Sequence, residues 1–559
     1  MAREKKSYDK RLGTLRAERS GFIDYWRELS DIHLAHRGRF LTSDRNKGHK
    51  RNTKQYNNTS RLAVRTIASG MMAGITSPAR PWFRLRTSDP VLNESGAVKE
   101  WLHDVEGMMR EVFNSSNLYN SLHVTYAELA VFGTASMGVF SDYENVIWCK
   151  PYTVGSYSLG MNGKNIVDTQ YREYELTVAQ MVDEFGLEYC SNQVKNHWKK
   201  GSTETWIKVV HVIEPNDDRD ALNPMAKHKR YRSVYYEAAH TIEDQHQFLR
   251  ESGFDEFPIL TPRWDVTGED IYGTDCPGMV ALGDTKTLQL QERRKYQAID
   301  KVVNPPVQAP SSLRNKISGG NLVSGEIVFV DDTANGGVKS LYDYRPDLAA
   351  MQASIDINEE RIKRSFYEDL FLMLSNSDRR QITAREISER HEEKLLMLGP
   401  VLERLHTELL DPLIDRTFNI MQQAGILPDP PEELKDSVIN VEYVSVLAQA
   451  QMMVGIGALE RTAQFAGSLV EIWPEARHKF DALQAMDDYS EAMGVSPHVV
   501  RSDDEVAGIM DAEKAAAQEQ KQAEQAAMAT DMAGQAASMD TSGQNVLTDV
   551  MRMAGIQPE

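Results

Sequence analysis

Cysteine is nearly absent: Cys149, Cys190 and Cys276 are the three in 559 residues. They lie far apart and form no Cys-x-x-Cys pair, which argues against a disulfide framework or a cysteine zinc site and for reduced, buried thiols in a cytosolic folding environment. Long apolar runs are missing too. No stretch of about 18 uninterrupted apolar residues occurs, and Met1 to Arg19 is basic without an apolar core, so neither a membrane span nor a secretory signal is expected. No Gly-Lys-Ser/Thr phosphate loop is present, which excludes ATP hydrolysis by that route.

Catalytic and metal-ligating patterns are equally thin. His33 and His36 stand three apart on a helix without a nearby carboxylate or third histidine, and the plain reading is two solvated histidines. Asp217, Asp218 and Asp220 have the composition of a Mg²⁺ site but fall in a polar connection, where a solvated turn is the simpler account. His391-Glu392-Glu393 lacks the second histidine of a zinc-protease helix. No enzyme, cofactor or metal is expected.

What is present is folded protein with unusually long helices. Hydrophobic residues make up 41% and aromatics 8%, sufficient for several domains. The net charge of −19 is uneven, because residues 1–90 hold 20 Lys and Arg against 8 Asp and Glu, leaving a strongly acidic remainder. A basic arm ahead of an acidic body suggests two electrostatic roles; solvated helix faces are the simpler alternative.

The segment 384 to 425 is the most patterned. Thr383 and Glu386 form a capping box, and Leu395, Leu398, Leu402, Leu405 and Leu409 recur at spacings of three and four along one helix face. Pro400 and Pro412 predict kinks near Gly399 and Asp411, and Gly425 a left-handed stop. At about 1.5 Å per residue the element runs roughly 60 Å, which suggests an elongated subunit in an assembly.

Helices are predicted over 7–35, 60–75, 96–114 and 117–132, with the small residues Ala68, Ser69, Gly70, Ala73 and Gly74 permitting close packing. From Ala135 the period changes to two, and a mixed sheet block follows over about 135–265, with Asn162-Gly163 as a type I′ hairpin turn and a Thr177/Gln180 capping box. A long helix is expected from Pro277 to Asn304-Pro305-Pro306. Next come a Gly/Ser/Pro-rich insertion with strands at 322–323 and 327–330, a helix over 347–373, and a polar loop, Asn376 to Gln381. In that loop the adjacent Arg379 and Arg380 either present guanidinium groups to phosphates without reading sequence or pair with neighbouring carboxylates. A strand is expected at 438–446, and the Ala/Gln/Met-rich residues 511–559 are either a lone helix or partly disordered. The fold class is α+β, predominantly helical.

The succession from 278 to 425 resembles the portal, or head-to-tail connector, proteins of short-tailed bacteriophages. So do the strings Gly70-Met71-Met72-Ala73-Gly74-Ile75-Thr76-Ser77-Pro78-Ala79-Arg80-Pro81-Trp82-Phe83, Lys301-Val302-Val303-Asn304-Pro305-Pro306, Phe366-Tyr367-Glu368-Asp369-Leu370-Phe371 and Leu396-Met397-Leu398-Gly399-Pro400-Val401-Leu402-Glu403-Arg404-Leu405. The likeness covers roughly residues 10–450. It implies a ring, usually of twelve copies, at one capsid vertex, passing double-stranded DNA without sequence specificity during packaging and ejection. It further implies docking of terminase and then tail adaptor proteins, with major capsid and scaffolding proteins as neighbours and no membrane.

The implied subdivision is 1–277 wing, 278–303 first stem helix, 304–345 clip, 346–373 second stem helix and 374–383 tunnel loop. Residues 384–446 would be the wing helix and strand, 447–510 a helical crown and 511–559 the tail. Asn376, Arg379 and Arg380 would touch DNA from the tunnel loop, Arg293, Arg294 and Lys301 more weakly from the stem, and Arg314 and Lys316 would serve docking in the clip. Competing classes are a scaffold or adaptor without a channel, and a metal-dependent packaging nuclease using Asp217 or Asp218.

Overall fold

The computed structural model describes residues 4–34, 55–89, 92–220, 222–239, 246–311, 327–330, 339–340, 346–371, 399–434, 439–443, 459–469, 473, 479–493, 499 and 503–538. The chain divides into two compact units, the first comprising Met1–Arg86, Asp104–Asp429 and Ile439–Gln451.

In the first unit, α1 (Lys5–His33) buries Tyr8, Leu12, Leu15, Trp26 and Leu29 at helical spacing. Its N-terminal half lies on one face of a five-stranded antiparallel sheet, where Tyr8, Leu12 and Leu15 meet Tyr171, Val210, Val212, Val234 and Tyr236. α2 (Thr59–Ile75) packs through its small residues: a Cβ on Gly70 would sit 2.3 Å from Cγ of Phe371, so only glycine admits that ring. β1 (Phe83–Thr87) pairs with the distant β13 (Ile439–Tyr443). β1 was not predicted, because Pro78 and Pro81 drew the reading toward a loop. α3 (Gly96–Ser115), whose residues from Asp104 onward belong to this unit, and α4 (Leu118–Phe132) follow, α4 ending at Gly133 with φ +71.

β2 (Ser136–Asp142), β3 (Val146–Tyr152) and the later β9 (Ile259–Leu260) form one sheet in the order β3-β2-β9. β4 (Tyr157–Met161), β5 (Val167–Thr177), β6 (Trp206–Pro215), β7 (Tyr231–Glu237) and β8 (Arg250–Phe254) form the five-stranded sheet in sequence order. The β4–β5 connection departs from the expected turn: the left-handed residue is Asn165, φ +59, rather than Gly163. Asn162 accounts for the difference, since its side-chain oxygen accepts from the amides of Lys164 and Ile166 and closes a longer loop. The Thr177/Gln180 capping box opens α5 (Val178–Phe185), followed by α6 (Asn192–Lys199). Both helices cover the second sheet face, where Val178, Met181 and Val194 meet Ile207 and Val209. All three cysteines are buried and free, and burial pushes Cys149 and Cys276 up to about 12.

α7 (Pro277–Val303) begins with proline in its first turn and stops at Asn304, as the sequence predicts. β10 (Val307–Pro310) then stands between β11 (Ile327–Val330), parallel to it, and the antiparallel β12 (Lys339–Ser340). β10 was missed because Pro305 and Pro306 precede it and Pro310 ends it, and the strand expected at 322–323 lies outside the described residues. α8 (Leu348–Ser365) is shorter than expected. Tyr367 adopts φ +54, and this break in the 347–373 helix lets Phe366 reach His33 and Phe371 reach Gly70.

α9 (Gly399–Leu405), a π-helical turn (His406–Leu410) and α10 (Asp411–Gln423) form one rod, stopped by Gly425 at φ +66. The expected disturbance at Pro412 therefore takes the form of a widened turn just before it. The beginning of this helix, with its Thr383/Glu386 box, lies outside the described residues.

The second unit comprises Thr87–His103, Pro430–Val438 and Met452–Glu559. In it Ser95 Oγ donates to Glu433 Oε2 at 2.9 Å. Helices occupy 459–469, Ala482–Met493 and Asp503–Ser538, so the alanine-rich segment is helical through Ser538, with exposed side chains along 507–528.

Candidate nucleic-acid interface

The candidate interface is the α7–α8 pair. α7 spends its apolar side chains near its beginning, where Pro277, Gly278, Ala281, Leu282 and Leu288 are buried. A Cβ on Gly278 would lie 2.7 Å from the Val131 carbonyl oxygen, so glycine sets how closely α7 approaches the end of α4. Farther along, polar side chains join α7 to α8. Asn358 Nδ2 donates to Gln291 Oε1 at 2.8 Å, Gln291 Nε2 to Ser354 Oγ at 3.0 Å, and Lys295 Nζ to Gln352 Oε1 at 2.5 Å. Asn57, preceding α2, donates through Nδ2 to Glu359 at 2.7 Å and to Glu292 at 3.2 Å, and the Gln289 side chain pairs with the Asn57 backbone. Glu292 is buried, and Lys295 lies 3.6 Å from its Oε2. The seam fixes which faces of the helices turn outward.

Arg293 and Arg294 are exposed on α7, and Lys301, in its last turn, is half-buried. α8 adds exposed Arg361, Lys363 and Arg364 near its end, of which Arg364 pairs with Glu360 at 2.7 Å. These α8 cations were missed, although the string Arg361-Ile362-Lys363-Arg364 carries the signal. Exposed Leu290, Tyr296, Val302, Val303 and Ile357 accompany the cations on the two helices. Asn376, Arg379, Arg380, Arg314 and Lys316 lie outside the described residues.

His33 is buried rather than solvated: its Nδ1 bonds Ser60 Oγ, its ring meets Phe366 at 5.6 Å, and burial pulls it down to about 4. Its position on the inward face of α1, among α2, α7 and the end of α8, is the reason. His36 and the stretch 391–393 lie outside the described residues. Asp218 pairs with Arg232 at 3.3 Å, and Asp220 accepts from the Leu222 amide as part of a turn. Among the described residues no group of three or more His, Cys, Asp or Glu side chains is placed to hold a metal ion, and no helix is long and apolar enough to cross a membrane.

Long helices joined by an amide seam, with cations and apolar side chains turned outward, define a structural subunit of mixed helix and sheet. The chain belongs to the bacteriophage head to tail connecting protein family, whose profile matches residues 5–500. It is 46% identical over 557 residues to the portal protein of Salmonella phage epsilon15, covering 99% of each chain. It is likewise 46% identical over 553 residues to the probable portal protein of Bordetella phage BPP-1, covering 98% of each. A solved structure, the virion of a native gene transfer agent particle, aligns over 72% of this chain and 89% of that one at 9% identity with a TM-score of 0.28, too loose a likeness to bear on the fold.

Proposed function

We propose that copies of this chain close into a ring, of twelve subunits as is usual in the family, and line a channel for double-stranded DNA at the head-to-tail junction of the virion. The observation that carries this reading is the 46% identity to two portal proteins along almost the whole chain. Residues 278–303 and 346–373 serve as the stem, 304–345 as the clip that receives terminase and later tail adaptors, and 374–383 as the tunnel loop. Residues 1–277 and 384–446 form the wing, and 447–510 the crown inside the capsid, beside major capsid and scaffolding proteins. Assembly takes place in the host cytoplasm. The role is structural, with packaging power supplied by a separate motor.

Physical chemistry supports the reading. Apolar side chains such as Val303, 77% exposed, find cover when identical subunits repeat about an axis. An acidic body repels phosphate while sparse arginines touch it briefly, which favours passage over tight binding.

Negative-stain images of the purified protein are expected to show rings with a central hole; small or open oligomers at every concentration would overturn the reading in favour of a scaffold. Arg379→Ala with Arg380→Ala is expected to leave rings intact and change the DNA retained in filled heads. Unchanged DNA content would remove the tunnel-loop role.

A further inference from the structure

On the sheet face turned away from α1, beside the part that α5 and α6 cover, stands a row of cations seated on largely buried rings. Arg172 on β5, His211 on β6, Tyr235 on β7 and Arg250 on β8 are direct cross-strand partners and so share this face. The Arg172 guanidinium lies 4.5 Å from the Tyr152 ring centre and 4.3 Å from that of Tyr174; Arg250 lies 4.9 Å from Phe185 and 5.6 Å from Tyr235. His211 stacks on Tyr235 at 3.9 Å. On β3, Lys150 stands over Trp148, which is 44% exposed, at 5.1 Å.

Among the described residues Lys150, Arg172 and Arg250 form no ion pair; Arg250 donates to the backbone carbonyl of Glu184, and the buried Nε of Arg172 has no hydrogen-bond partner. Burial, then the charge of Arg172, pulls Lys150 down to about 8, opposed by Glu184 on α5. Rings cover the guanidinium faces, and the accessible part of the row is its edge, where Arg250 is exposed and half-buried Lys150 stands beside exposed Trp148.

The same chain carries a complementary element at the tip of the β2–β3 hairpin. Tyr143 is fully exposed there, between Asp142 and exposed Glu144. The tip is tightly held: the Asn145 amide donates to Asp142 Oδ2 at 3.0 Å, and the Ile147 amide donates to the Asn145 carbonyl at 2.7 Å, closing a three-residue turn around Val146 at φ +67. Positive φ at a β-branched residue is strained, and such strain concentrates where a geometry is used.

We propose that this cation-and-ring face receives the Asp142-Tyr143-Glu144 tip of the adjacent copy in the ring, the carboxylates meeting Lys150, Arg172 and Arg250 and the phenol ring lying among the aromatic side chains. Tip and face are different surfaces, so the contact runs head to tail and repeats around an axis instead of closing on a two-fold. The inference rests on the ring reading above.

Charge exchange tests it. Glu144→Lys alone and Lys150→Glu alone are each expected to weaken ring assembly about tenfold, read by native mass spectrometry across a concentration series. Both subunits should keep the wild-type circular dichroism and melting temperature. The double variant E144K/K150E is expected to restore rings. Wild-type rings with both single variants assembling equally well, or a double variant no better than the singles, would overturn this contact while leaving the portal reading standing. A wild-type protein that never forms rings would overturn the reading beneath it.

Discussion

Replacing Glu408 with alanine is expected to destabilise the subunit by about 3–5 kcal/mol, because it strands a buried guanidinium. Arg263 is 6% exposed and aims at Glu408 through three donors: its backbone amide reaches Oε2 at 2.9 Å, Nε reaches Oε1 at 3.1 Å, and one terminal nitrogen reaches Oε1 at 2.5 Å. Without that carboxylate, the carbonyl oxygens of Asn165 at 3.0 Å and Asp270 at 3.4 Å are left to accept from a full positive charge. The contact joins the π-helical turn to the strand corner after β9, so its loss also frees the rod. Chemical denaturation of the isolated subunit measures the effect. A loss below about 1 kcal/mol, the range of a surface pair, would mean that the two charges remain well solvated.

Acid is expected to weaken the fold through His33. Its folded-state value of about 4 lies below the ordinary 6.5, so the unfolded chain takes up the proton first. Stability contributed by the neutral ring is whole above pH 6.5 and is lost as pH falls toward 4, by about 3 kcal/mol in all. His211, buried and held well below its ordinary value, first by burial and then by Arg172, Lys150 and Arg250, acts in the same direction. Asp415 acts oppositely: burial, then Asp411 and Glu256, raises it to about 6, so its contribution falls as pH rises from 4 to 6. His33→Asn isolates the first effect, since an amide can still meet Ser60. Melting temperatures of the two proteins are expected to converge between pH 6.5 and 4; parallel curves would show that His33 keeps its proton affinity on folding.

Much of this architecture was legible where one local signal sufficed. The Thr177/Gln180 box, Pro277 opening α7 and Gly425 ending α10 need only their own backbone, and they appear as read. Features decided by distant partners were not legible. β1 exists because β13, more than 350 residues later, supplies its hydrogen bonds. His33 is buried because three other helical segments converge on α1, and the break at Tyr367 follows from where Phe366 and Phe371 must go. The polar pairing within the α7–α8 seam was not legible, because amides leave no apolar period, although Ile355 and Ile362 are buried at helical spacing. Of the candidate DNA contacts, Arg293, Arg294 and Lys301 of α7 followed from the family resemblance, while the α8 cations were overlooked although Arg361-Ile362-Lys363-Arg364 is legible as a basic string.

The widened turn at His406–Leu410 puts the two halves of the long rod out of step, since one surplus residue swings everything beyond it by about 100° around the axis. Upstream of it, Arg404 reaches Asp265 at 3.6 Å; downstream, Arg416 donates to the Val139 carbonyl at 2.6 Å and sits 5.3 Å from the ring of Phe254. One continuous helical segment thereby addresses two separate surfaces. Excising one residue there would restore regular winding and force a choice between them.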